Sequence, residues 1–151
     1  MHSRRVLLVF VSMLTLVSQR GLADQSIAAG PNDARQTMLR SLKNAMTALS
    51  EHQRGTITID RSEVVRLAAQ MQTVARSFPN YFEVADQAGA SRASADIWHD
   101  KPGWTAAVSD FQSATDQLAA VAPNGDAAQT VRGIRTVAQS CRQCHDHFRL
   151  R

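Results

Sequence analysis

Residues 126–148 read DAAQTVRGIRTVAQSCRQCHDHF. Val131, Ile134, Val137, Ala138, Cys141, His145 and Phe148 recur every three or four positions, so a helix here gathers them on one face. Asp126-Ala-Ala-Gln129 is a capping-box pattern that starts the helix, with an Asp where Ser or Thr is commoner. The turn residues Pro123-Asn124-Gly125 stand just before it.

Working back from this stretch, three more segments carry the same period. Lys101 to Ala122 has Asp100 as a cap and Pro102 in its first turn, with Trp104, Ala107, Val108, Phe111, Leu118 and Val121 or Ala122 on one face. Arg61 to Ser77 opens on a second capping-box pattern, Asp60-Arg-Ser-Glu63. Its stripe is Val64, Leu67, Ala68, Met71, Val74, Ala75 and Phe78, and Pro79 stops it. Asn32 to Glu51 has Met38, Leu39, Leu42, Ala45, Met46 and Leu49, with Asn32 or Asp33 to cap it and Gly55 just past its end. Four one-striped helices, with no alternating stretch long enough for a sheet, predict an all-α fold, an antiparallel four-helix bundle. The connection Pro79–Asp100 between helices 2 and 3 is long, and it holds Tyr81, Phe82, Ile97 and Trp98. Such a loop is expected to pack along the bundle and cover something.

The chain has 151 residues, 44% hydrophobic and 20% charged, room for one packed domain. Aromatics are only 5%, which speaks against an all-β core. Apart from Phe10 they gather at Phe78, Tyr81, Phe82, Trp98, Trp104, Phe111 and Phe148. The formal charge of +4 invites a nucleic-acid reading. That reading weakens once the N-terminus is considered. Arg4 and Arg5 precede a twelve-residue, mostly apolar run, Val6 to Val17, and Gly21-Leu22-Ala23 offers small residues at a cleavage point. Residues 1–23 are therefore expected to be a cleaved signal peptide, with 24–151 as the mature bundle. The run is too short to span a membrane. Without Arg4, Arg5 and Arg20, the 17 basic residues fall to 14 against 13 acids, a net of +1 with no basic block. No nucleic acid and no membrane span are expected for the mature chain, and the periplasm is the expected compartment.

Cys141-Arg-Gln-Cys144-His145 is the attachment pattern of c-type haem. Cys141 and His145 are four apart on one helix face, and Cys144 adjoins the histidine. Two thioethers can tether the porphyrin edge while the imidazole reaches the iron. A thioredoxin-type dithiol would follow a strand and would not need the histidine. Zinc would need further ligands, and the chain has only two cysteines. A disulfide across two residues of a helix is strained.

Three motifs together make the chain resemble the class II c-type cytochromes, the cytochrome c′ family. The family's ending, Cys-x-x-Cys-His-x-x-aromatic-Arg, is matched by Cys141 to Arg149. Its third-helix entry, Ile-Trp-x-x-Lys-x-x-aromatic, is matched by Ile97 to Trp104. Its first-helix motif is matched by Arg35-Gln36-Thr37-Met38-Leu39. The resemblance spans about Asn32 to Arg149. It implies one haem c held by Cys141 and Cys144, with His145 as the axial iron ligand. Leu39 takes the distal position, leaving iron five-coordinate and high-spin. The alternative is a low-spin, six-coordinate carrier with Met38 as sixth ligand. Arg35 is implied near a haem propionate, Arg149 beside the histidine, and Trp98 in the haem pocket. Met46 is read as core packing. The implied functions are electron transfer with redox partner proteins and binding of nitric oxide or carbon monoxide. A homodimer through the first two helices is a further implication, with Val65 as a candidate contact. No Ser-His-Asp or paired-carboxylate arrangement is evident, so no enzyme is expected. His52 and His99 have no metal partner at ligand spacing, His147, two past His145, points to a different face and reads as solvated, and Asp96, Asp100 and Asp146 read as caps or surface charges.

Overall fold

The structure is a computed structural model that describes residues 30–85 and 91–151. The expected leader, residues 1–23, lies outside the described residues. Five helices follow in order: α1 (Pro31–Gln53), α2 (Arg61–Ser77), α3 (Asp96–His99), α4 (Lys101–Val121) and α5 (Ala127–Phe148). A 3-10 segment, Phe78–Phe82, continues α2.

Local chemistry accounts for most of the boundaries. Asp126 accepts from the backbone N–H of Gln129 while the Gln129 side chain accepts from the N–H of Asp126, so the full capping box forms. Asp100 accepts from the N–H of Gly103 and caps α4 as expected. At α2 only half of the expected box forms. Asp60 accepts from the N–H of Glu63, but the Glu63 carboxylate turns away to Arg66 at 2.6 Å. A guanidinium one turn along competes successfully with a single backbone N–H. Neither Asn32 nor Asp33 caps α1. The helix begins earlier, after Gly30, with Pro31 in the first position, where its missing N–H costs nothing. α1 ends in a Schellman motif: Gly55 N–H donates to His52, Thr56 N–H donates to Glu51, and Gly55 takes φ 72°.

α1 packs against α2 and α5, α2 against α4, and α4 against α5, closing a four-membered ring. Each neighbour runs antiparallel to the next. Leu49, Leu67, Ala68, Met71, Ala75, Ala114, Leu118, Ile134 and Val137 fill the interior. α5 comes close to α4 at Gly133, where an added methyl group would lie 3.0 Å from the Leu118 side chain. The start of α1, the end of α2, the start of α4 and the end of α5 meet at one end of the bundle, and the aromatic residues collect there. Trp104 contacts Phe78, Phe82 and Phe148 at centroid separations of 4.9–5.9 Å.

The long connection is not featureless. After its 3-10 segment it returns as residues 91–94, which lie against the chain's end. Ser94 N–H donates to Phe148 O and Leu150 N–H donates to Arg92 O, an antiparallel bridge centred on Ala93 and Arg149. α3 then leads into α4. The expectation that the loop covers something is met at the cavity described next.

Candidate haem site

Between α1, α4, α5 and the loop lies a cavity of about 500 Å³. Its walls are mostly apolar: Leu39, Leu42 and Met46 from α1, Trp104, Val108 and Phe111 from α4, and Phe78, Phe82, Ile97 and Phe148 around the end. Met46 thus faces the cavity as well as packing on the core, which corrects its assignment as core alone. Two turns beyond Leu39, it shares the cavity-facing side of α1.

α5 brings Cys141, Cys144 and His145 to this cavity together. The two cysteines are half-buried, and His145 reaches solvent at the mouth. Burial pushes both thiols up, Cys144 to about 11 with Cys141 adding to the effect, while Arg142 offsets part of the rise at Cys141. Both are therefore protonated near neutral pH, the reverse of a thioredoxin-type nucleophile, which is held as thiolate. His145 is held below its ordinary value. Partial shielding of its ring by the cavity wall is the main cause, Arg149 and Arg92 add to it, and Asp146 opposes it. The imidazole is thus kept neutral, the form that binds a metal. Among the described residues no group of three or more His, Cys, Asp or Glu gathers as a bare-ion site.

The adjacent residues Met38 and Leu39 separate. Leu39 lines the cavity and is 37% exposed, whereas Met38 is 6% exposed and packs in the bundle core. A step of about 100° per residue puts one side chain inside the helix ring and the other on the cavity. Arg35, one turn before Leu39, is buried and also lines the cavity. Its Nε donates to Tyr81 O at 2.9 Å and one terminal nitrogen donates to Val84 O at 3.2 Å. Its guanidinium lies 4.7 Å from the Phe82 ring centroid and 5.8 Å from that of Trp98. It therefore ties α1 to the loop as well as facing the cavity, a role the sequence did not suggest.

Trp98 does not line the cavity, contrary to expectation. Its Nε1 donates to Phe82 O at 2.8 Å, which turns the indole along the loop, and Trp104 takes the place on the wall. Arg149 does lie at the cavity, on the bridge to Ala93. Sequence reasoning missed Arg40, Lys43 and Arg92 at the mouth. The first two follow Gln36 at spacings of four and three, so helical periodicity extended from Arg35-Gln36 would have found them. Arg92 had no local signal, because the bridge to the chain's end places it.

This arrangement fits a covalently held haem. The volume is in the range of small-molecule sites, the walls are apolar, and two thiols and a neutral imidazole share one edge. Cations at the mouth suit the carboxylates of a porphyrin. Residues 31–149 match the family model described as Cytochrome C'. The chain belongs to the cytochrome c′ family. Cytochromes of this family carry haem c, and Cys141 and Cys144 are the two cysteines this member offers. It is 27% identical over 124 residues to cytochrome c-556 of Agrobacterium fabrum, covering 82% of this chain and 84% of that one. Over 64 residues it is 33% identical to cytochrome c' of Rubrivivax gelatinosus, covering 42% and 50% of the two chains. The crystal structure of the Rubrivivax gelatinosus cytochrome c' superposes with a TM-score of 0.72 at 26% identity, covering 79% of this chain and 96% of that one. A nitric oxide complex of a cytochrome c prime variant from Alcaligenes xylosoxidans shares the fold, with a TM-score of 0.70 at 22% identity and coverage of 80% and 96%.

Proposed function

We propose that this cytochrome c′ is an exported, five-coordinate, high-spin haem protein that carries single electrons and binds nitric oxide and carbon monoxide. The observation that carries the reading is the cavity-facing Leu39 beside the core-packed Met38. Haem bound here supplies a one-electron iron couple and an open coordination position for a diatomic gas. The chain's own residues set the terms. Cys141 and Cys144 would hold the porphyrin edge, and His145, neutral at physiological pH, would ligate iron. Leu39 offers no donor atom, and its side chain keeps water and anions from gaining hydrogen bonds on that side. A small neutral gas needs none. Trp104, Phe82 and Phe148 line the cavity and would shield the bound group from water.

The alternative with Met38 as sixth ligand requires its thioether to leave the core, at the cost of a cavity there. The nitric oxide complex of the Alcaligenes xylosoxidans relative supports the gas-binding half of the proposal. Residues 1–23 would direct export to the periplasm and be removed there, where redox proteins are the partners. No described helix is long and apolar enough to cross a membrane. A second copy would pair through α1 and α2, on which Val65 is only half-buried. The role is that of a carrier and gas binder rather than an enzyme.

The test is to produce the protein in a host that matures c-type cytochromes and titrate the ferrous form with nitric oxide and with carbon monoxide. Saturable spectral changes with both gases are expected. A ferrous spectrum unmoved by saturating gas would reject gas binding, and a product without covalent haem would reject the whole reading.

A further inference from the structure

We propose that Arg92 is a positioning residue: it holds Leu150, thereby keeps Arg149 at the cavity beside His145, and so makes the bound haem easier to reduce. This rests on the electron-carrier half of the proposed function. α5 ends at Phe148, and Arg149, four residues after His145, leaves it in extended backbone at φ −125° and ψ 127°. Phe148 O, one of the carbonyls that a helix end leaves without an internal partner, accepts from Ser94 N–H at 3.0 Å. Leu150 N–H donates to Arg92 O at 2.8 Å, and Leu150 O accepts from Arg92 Nε at 3.1 Å. Arg92 thus takes both main-chain polar groups of Leu150, and among the described residues it is their one hydrogen-bond partner. Burial does not hold Leu150, which is 51% exposed and followed only by Arg151.

The two ends of this short pairing are anchored differently. On one side Phe148 is buried with its ring 5.4 Å from that of Trp104, and Ser94 is buried too. On the other side stands Arg92. Chain ends fray unless they are tied down, so Arg92 decides whether the backbone of Arg149 keeps its place. Arg92, Arg149 and His145 line one cavity, and both guanidiniums act on the His145 ring. A cation near a centre that gains an electron favours the reduced form, and the effect weakens with distance and with screening by water. Arg149 released into solvent would therefore lower the potential even with its charge intact. Acids share this end of the bundle. Asp96 accepts from the Ser94 hydroxyl, Asp100 caps α4, Asp146 acts on His145 against the two arginines, and Asp33 and Glu83 are exposed. All of them stay when Arg92 or Arg149 is replaced, so their contribution cancels between variants.

The experiment compares the haem-loaded protein with Arg92→Ala, Arg149→Gln and the double variant. Spectroelectrochemical titration passes one electron from the electrode to the ferric protein, giving the ferrous form, and reads the reduction potential. Each single variant is expected to lower it, raising the ferric-to-ferrous ratio at a fixed applied potential by about threefold. In the Arg149→Gln background Arg92→Ala should have a clearly smaller effect, because no charge is left at residue 149 to be misplaced. Amide hydrogen exchange supplies the second readout. The Leu150 amide should exchange about tenfold faster in Arg92→Ala, while the amides of Leu118 and Ile134 stay protected and show an intact bundle. Fully additive potentials would make Arg92 an independent charge and overturn the positioning role, as would a Leu150 amide that exchanges at the parent's rate. Either result leaves the carrier reading intact. A haem-loaded parent with no reversible one-electron couple would remove the carrier reading and this role with it.

Discussion

The guanidinium carbon of Arg35 lies 4.7 Å from the centroid of the Phe82 ring, and the same guanidinium donates to Tyr81 O and Val84 O on either side of that ring. One buried side chain of α1 thereby holds the start of the long connection as a wall of the haem cavity. A planar fork can stack and donate twice at once, whereas an ammonium cannot. Arg35→Lys is expected to lower stability by about 2 kcal/mol, read as a shift in denaturant midpoint. Hydrogen exchange should rise in residues 78–85 before it rises in α4. Unchanged exchange in that segment would show that the loop is held by something else.

The two tryptophans differ in their dependence on the cavity. Trp98 sends its N–H to Phe82 O and stays off the cavity wall, while Trp104 stands on it. Trp98→Phe should cost about 1 kcal/mol for the lost hydrogen bond and leave the haem absorption spectrum as it was. Trp104→Ala should cost about 3–5 kcal/mol and alter the spectrum, because the aromatic cluster loses its centre. Spectral changes of equal size in both variants would contradict the placement of Trp98.

Acid stability follows from the first turn of α2. The Ser62 hydroxyl, followed by the Glu63 backbone N–H, holds the Asp60 carboxyl below its ordinary 3.8, and the Arg66 guanidinium holds Glu63 below 4.5. Both carboxyls are depressed in the folded state, so their stabilisation is complete above those ordinary values. It is lost as pH falls through the lower folded ones. Asp60→Asn keeps an acceptor for the cap but removes the titration. Melting temperatures followed from neutral pH to about pH 2 should fall less steeply for this variant than for the parent on the acid side. Superimposable acid limbs would place the acid sensitivity elsewhere.

Much of this molecule is readable from local pattern. The stripes of α2 and α5 and the caps at Asp100 and Asp126 each express a rule that acts within one or two turns, and the structure follows them. The attachment run Cys141 to His145 is legible for the same reason, since a helix alone brings the two thiols and the imidazole to one cavity edge. The sequence reading fell short where the deciding partner is far along the chain. Arg35 meets its acceptors 46 and 49 residues away, and Arg92 meets Leu150 at a separation of 58. Glu63 failed to complete its box because a better partner, Arg66, stood one turn further on. Trp98 and Trp104 are equivalent by composition, and only the course of the loop tells them apart.

The central claim is that Leu39, and not a methionine of α1, occupies the distal side of the haem. The most direct measurement is the ferric and ferrous absorption spectrum of the haem-loaded protein beside those of Leu39→Met and Met38→Leu. The parent and Met38→Leu are predicted to share a high-spin spectrum, with only Leu39→Met shifting toward low-spin. A low-spin parent spectrum carrying a methionine–iron charge-transfer band, abolished by Met38→Leu, would contradict the account.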